Sequence, residues 1–309
     1  RVRVEFVRAW SSKDQASKTA GHFVLPADSL REIAEYLEGI EKMLPAGPSL
    51  ALHELVEVTI LARLKPSDPS FRWFSDGFAN AITEVLLRKF VSSEVANAFV
   101  DLNSVESYQD LKSTLLLRYW LGKDYCIETS FEPETRLNQA RYNFATLEAR
   151  RVLEKHGHIV LKKTLDLALG EGRESKEAVT VTERLQKCLQ RVTGEDLDAR
   201  FRQYEPFESR AEIVKYCEDL LVKADAKPDP EAALIAILRL IDIKTASTGN
   251  VPLDLYREAA LRLQASGRAE ECLKVFEKCF KIAGNNPKIV RHIQNDFIQM
   301  AWVVGRPER

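Results

Sequence analysis

The chain opens on an alternation of apolar and polar positions. Val2, Val4 and Phe6 are separated by charged residues, and a second short apolar stretch runs from Gly21 to Leu25 before Pro26. A period of two marks a strand with one buried face, and proline ends a ladder because it has no N–H to donate. The stretches 1–9 and 21–25 therefore predict a small N-terminal β-sheet. From Asp28 the period changes. Leu30, Ile33, Leu37 and Ile40 recur at three and four residues, the spacing of one helix face, with Asp28 or Ser29 placed to cap it. Pro45, Gly47 and Pro48 stop that helix. A second is expected from Ser49 to about Leu64. Beyond Pro66 and Pro69 a third is expected from Ser75 or Asp76 to about Phe90.

Helical periodicity then holds to the end of the chain, predicting helices at 94–101, 107–121, 134–155, 158–169, 175–193, 194–202, 208–224, 229–243, 253–266, 268–283 and 287–303, with one long irregular stretch at 122–133. The expected class is mainly α with a small N-terminal β-sheet, an α+β fold. Tyr204-Glu205-Pro206 and Lys227-Pro228-Asp229-Pro230 read as seams. The division they suggest is a first domain at 1–205 and an all-helical segment at 206–309.

Composition narrows the function classes. The 309 residues are 45% hydrophobic and 29% charged, with a formal net charge of −1. A chain of this length buries a sizeable core. So balanced a charge gives no electrostatic footprint for nucleic acid. No apolar run approaches the ~20 residues a bilayer-spanning helix needs. The chain begins at Arg1 and enters a strand at once, which reads as a processed or truncated N-terminus. The five cysteines, Cys126, Cys188, Cys217, Cys272 and Cys279, are odd in number and form no Cys-x-x-Cys pair, so they read as buried thiols and not as a disulfide frame.

Candidate chemistry lies on the second and third helices. His53-Glu54-Leu55-Val56-Glu57 puts His53 and Glu57 four residues apart on one face, with Glu54 beside them. Two ligands one turn apart can meet a single ion, and a neighbouring carboxylate can take a proton from its bound water. Eighteen residues separate Glu57 from Asp76, which lies within Arg72-Trp73-Phe74-Ser75-Asp76-Gly77-Phe78-Ala79-Asn80.

Residues 53–80 resemble the zinc-binding core of the gluzincin metallopeptidases, in particular the peptidase-MA-like group. That pattern is His-Glu-x-x-His, eighteen residues, then a glutamate inside a Trp-Leu/Phe-x-Glu-Gly-Phe/Leu-Ala segment. Trp73, Phe74, Gly77, Phe78 and Ala79 match it; Glu57 stands in place of the second histidine and Asp76 in place of the glutamate. The resemblance implies His53, Glu57 and Asp76 as ligands of zinc, Glu54 as general base, and Trp73 and Phe74 as walls of the substrate cleft, with Gly77 and Ala79 letting the third helix approach the second. It also implies that Tyr142, 66 residues past Asp76, stabilises an oxyanion. A peptide or protein is the implied ligand. The exchanged ligands make the set harder than two imidazoles and one carboxylate, and the shorter Asp76 loses ~1.5 Å of reach. The implied function is a metallopeptidase-like domain that is weakly active or a non-catalytic descendant, the alternative being a peptide-binding pseudopeptidase.

Other motifs read as structure. His156-Gly157-His158 marks a helix C-terminus with Gly157 in the left-handed cap, and Val192–Leu197 with Arg200, Phe201 and Tyr204 resembles the short closing helix of the same group. Tyr256, Ala260, Leu263, Gly267, Cys272, Phe276 and Cys279 resemble one tetratricopeptide unit, with 208–224 and 229–243 as a looser copy.

Overall fold

The computed structural model describes residues 3–7, 22–26, 49, 52–57, 60, 72–121, 127, 132–174, 181–205, 207, 209–226, 229–248, 252–283 and 287–303. The helix expected from Asp28 lies outside these residues. Two strands stand at the front, β1 (Arg3–Val7) and β2 (His22–Pro26), paired in parallel with Arg3 opposite His22 and Val7 opposite Pro26. Among the described residues they form a two-stranded ladder, which is too little sheet to form a layer of its own. From residue 49 onward the described residues are helices and their connections. The α+β expectation is therefore corrected: the fold class is all-α. The period-two alternation marks a local extended segment, and class is decided by what packs into layers.

Residues 49, 52–57 and 60 are helical. The helices that follow are α1 (Arg72–Phe90), α2 (Ser93–Leu102), α3 (Glu132–His156), α4 (Ile159–Glu174), α5 (Val181–Thr193), α6 (Leu197–Phe201), α7 (Arg210–Ala226), α8 (Pro230–Thr248), α9 (Leu253–Ala265), α10 (Ala269–Ala283) and α11 (Pro287–Val303). The third helix thus begins at Arg72, one turn before the expected Ser75.

The expected helix at 107–121 is replaced by two 3-10 pieces, Glu106–Thr114 and Leu117–Tyr119. The break between them is at Leu116, whose φ is 49°, an unusual left-handed turn for a branched residue. The turn puts Leu115, Leu116 and Leu117 all into the core, at 0%, 2% and 0% exposure. The Leu116 N–H donates to the Tyr204 carbonyl at 3.2 Å and the Leu115 carbonyl accepts from Arg141 Nε at 2.8 Å. Burying three leucines, at ~1.5–3 kcal/mol each, outweighs the ~1–2 kcal/mol cost of the conformation.

The chain divides into two compact units. One comprises residues 1–67, 71–118 and 137–205; the other comprises 68–70, 119–136 and 206–309. In the first, α1 is buried on every side from Arg72 to Ala81. Trp73 and Phe201 stack edge to face at 4.7 Å, and Phe144 and Tyr204 do so at 5.5 Å. Gly77 lets α1 meet α3: a Cβ there would lie 2.7 Å from the Ala145 carbonyl oxygen. The close approach that the small residues permit is thus to α3. Buried carboxylates are held by arginines. Glu205 accepts from the backbone N–H of Arg118 at 3.1 Å and from its guanidinium at 2.6 Å, and Glu148 accepts from Arg200 and from the Tyr204 hydroxyl at 2.5 Å. Gly157 ends α3 at φ 74°, in the left-handed cap.

In the second unit α7 packs on α8, α8 on α9, α9 on α10 and α10 on α11. Tyr256, Ala260, Leu263, Cys272, Phe276 and Cys279 are buried between these helices, and Gly267 turns α9 into α10 at φ 74°. The Arg268 N–H donates to the Leu263 carbonyl at 2.9 Å and the Gly267 N–H to the Gln264 carbonyl at 2.9 Å.

Candidate metal centre

Helical spacing sets one wall of the site and a second helix supplies the other. His53 and Glu57 lie one turn apart, and His53 Nε2 is 3.8 Å from Glu57 Oε2. Asp76 comes from α1, and its Oδ1 lies 3.7 Å from the same nitrogen. One ligand atom from each of His53, Glu57 and Asp76 lies within 4.8 Å of the others. Three donors bound to one small divalent ion at ~2.1 Å would be ~3.4 Å apart at tetrahedral angles, so the group needs a contraction of ~1.4 Å at most. These residues could hold a metal ion. The reach deficit expected of Asp76 does not separate it from His53.

Residues outside the motif complete the site. Arg72, Asp76 and Asn80 stand at i, i+4 and i+8 on one stripe of α1, and Tyr142 and Thr146 stand at i and i+4 on α3. His53 Nδ1 lies 2.7 Å from Asn80 Oδ1. Asn80 Nδ2 donates to Thr146 Oγ1 at 2.9 Å, and Thr146 Oγ1 donates to the Tyr142 carbonyl at 2.7 Å. A carbonyl only accepts, so the Thr146 hydroxyl donates to it and accepts from the Asn80 amide; Asn80 then presents its oxygen to His53. His53 Nδ1 then donates to Asn80, and Nε2, the nitrogen left for an ion, faces the two carboxylates. A histidine oriented through its other nitrogen is the arrangement that metal-ligating imidazoles require.

The charges are close and largely dry. The His53 side chain is 12% exposed and that of Asp76 2%. Burial by itself pushes the His53 pKa down. The facing Asp76 carboxylate, followed by the charges of Glu57 and Glu54, outweighs burial and raises the pKa above its ordinary value. The buried Glu54 thus acts on the imidazole without being one of the three converging donors. On the far side of Asp76, Arg72 Nε lies 3.5 Å from Oδ2. The same guanidinium donates to the Tyr142 hydroxyl and lies over its ring, 4.9 Å from the centroid.

The structure brings together His53, Glu57 and Asp76, sets Glu54 beside them, and ties Tyr142 to Asp76 through Arg72. It places Trp73 and Phe74 elsewhere. They are 3% and 0% exposed; the Trp73 indole donates to Thr182 Oγ1 at 2.7 Å and Phe74 stacks on Phe78 at 4.7 Å. Both are buried residues. Arg72, Asn80 and Thr146 were not singled out from the sequence. The signal for two of them was present, since Arg72 and Asn80 flank Asp76 at one turn on either side.

Comparison with known protein families, curated proteins and solved structures finds no match to this chain. Among the described residues, no helix is long and apolar enough to cross a membrane.

Proposed function

We propose that this chain is a metallopeptidase-like domain that binds a divalent ion, zinc by its resemblance to the gluzincins, through His53 Nε2, Glu57 and Asp76, and that it is a weakly active or non-catalytic descendant of such enzymes. The observation that carries the reading is the hydrogen-bond relay from Tyr142 through Thr146 and Asn80, which turns His53 Nε2 toward both carboxylates. A charged surface cluster has no need of a buried relay fixing one tautomer. Glu54 would be the general base for any hydrolysis, and Tyr142 the hydroxyl nearest the role of oxyanion donor; the resemblance implies a peptide or protein as ligand. The hold of Arg72 on the Tyr142 hydroxyl and the burial of Trp73 and Phe74 favour the non-catalytic form, a binding protein that keeps the centre. The helices of 206–309 would support it or engage a protein partner in the manner of tetratricopeptide pairs.

The test is calorimetric titration of chelator-free protein with zinc. The wild type is expected to bind one ion, His53→Ala to lose at least about a hundredfold in affinity, and Glu54→Gln to bind as the wild type does while losing any peptide cleavage. A wild type that binds no zinc, or a His53→Ala variant that binds equally well, would remove the reading.

A further inference from the structure

We infer that Arg72 is a built-in counter-cation of this site, a positioning residue that stabilises the metal-free cluster and works against the incoming ion. The inference extends the metal-binding reading above, and its test separates the two. Arg72 is 5% exposed and belongs to α1, one turn before Asp76. A buried guanidinium persists only where carboxylates or aromatic faces meet it. Here its Nε meets Asp76 Oδ2 at 3.5 Å, its terminal nitrogen donates to the Tyr142 hydroxyl, and its plane lies over the Tyr142 ring.

The charge arithmetic gives this arrangement a meaning. An ion held by two histidines and one glutamate leaves a centre of net +1, counting the ion as +2. One histidine and two carboxylates would leave 0. Adding the Arg72 charge brings the total back to +1, so the guanidinium offsets the carboxylate that Glu57 contributes in place of an imidazole. The two oxygens of Asp76 face different partners: Oδ1 lies 3.7 Å from His53 Nε2, and Oδ2 lies 3.5 Å from Arg72 Nε and accepts from the Ser75 hydroxyl at 3.3 Å. Arg72 and the Ser75 hydroxyl thus occupy Oδ2 and leave Oδ1 to the ion, and Arg72 holds a positive charge on the far side of that carboxylate. Without metal it pairs with Asp76 in a cluster that also buries Glu54 and Glu57. With metal it repels the ion across the width of one carboxylate, where screening is weak.

Two effects of opposite sign follow from removing it. Arg72→Gln is expected to lower the melting temperature of the metal-free protein by roughly 5 °C or more, because buried carboxylates lose their counter-charge. The same variant is expected to bind zinc about tenfold or more tightly by calorimetry, because the repulsion is gone. Arg72→Lys, which keeps the charge, should return zinc affinity to within about threefold of the wild type. A residue with a merely structural role would lower the melting temperature without tightening the metal. Should Arg72→Gln fail to fold, Arg72→Gln/Glu54→Gln keeps the net charge and all three ligands, and it is expected to bind zinc more tightly than Glu54→Gln alone. Zinc affinity that is unchanged or weakened on loss of Arg72, beside a wild type that binds, overturns the role of Arg72 and leaves the metal reading standing. Zinc bound by Arg72→Gln and not by the wild type supports Arg72 and overturns the reading of the wild type as a metal binder. Binding by neither overturns both.

Discussion

At the scale of single residues, the site depends on groups that are not ligands. Asn80 and Thr146 fix the tautomer of His53, and outer partners of a metal-bound histidine are worth ~10–100-fold in affinity. Asn80→Ala should therefore weaken zinc by about that factor in calorimetry, and Thr146→Val, which breaks the relay one link further out, by less. A second residue-scale expectation concerns Glu195. Burial alone would raise its pKa. Hydrogen bonds from His156, Arg151 and Lys155 outweigh burial and hold it down at about 2, from the ordinary 4.5. A depressed carboxylate contributes stability that is present above 4.5 and is lost as pH falls toward 2. The stability difference between the wild type and Glu195→Gln, read from urea midpoints, should be constant from pH 7 to about 5 and shrink toward zero through that window. A gap that persists at pH 2 would mean the network acts by shape and not by charge. The residues themselves were partly legible. Helical spacing placed His53 beside Glu57, because a pitch is a local property. Arg72, Asn80 and Thr146 were less so, since their roles depend on which side of α1 meets α3, and that contact is set by packing between distant segments.

At the scale of elements, two glycines within helices divide cleanly. Gly77 in α1 faces the Ala145 backbone, where a Cβ would lie 2.7 Å from a carbonyl oxygen, and Gly170 in α4 has nothing within 4 Å of a built Cβ. Gly77→Ala should destabilise by ~1–3 kcal/mol through forced separation of the two helices, and Gly170→Ala should stabilise by ~0.5–1 kcal/mol through lost backbone freedom in the unfolded chain. Paired urea unfolding curves check both; equal signs would refute the assignment of α1 against α3. Because Gly77 follows Asp76, the same substitution is expected to weaken zinc as well. The sequence pattern located most helices to within a few residues, since their apolar stripes are long. It failed at 107–121, where Leu115, Leu116 and Leu117 lie side by side: three consecutive apolar residues cannot share one helix face, and the chain turns at Leu116 to bury all of them.

At the scale of the whole molecule, the front of the chain misled in the other direction. The alternation covers β1, Arg3–Val7, but two short strands paired with each other do not make an α+β fold, and the other described elements are helical. The thiols are a global gauge of folding. Cys217 is pushed up to about 11, and Cys272 and Cys279 to about 12, in each case chiefly by burial; burial also raises Cys188. A Cys126→Ser variant should therefore resist iodoacetamide at pH 8 while folded and take up four labels once unfolded in urea, followed by mass spectrometry. Early labelling of Cys217, Cys272 or Cys279 would show that the second unit opens ahead of the rest.

The order of helices in that second unit also governs how it would carry force. From α7 to α11 each helix leans on the next. Two ion pairs span further, Arg262 to Asp225 at 2.7 Å and Arg257 to Asp296 at 2.5 Å, and they tie α9 back to α7 and forward to α11. Both arginines belong to α9, so this helix works as the clasp of a chain: tension applied at α11 reaches α7 through it. Under a pull the array would be expected to part where α9 lets go, since both longer ties end on it.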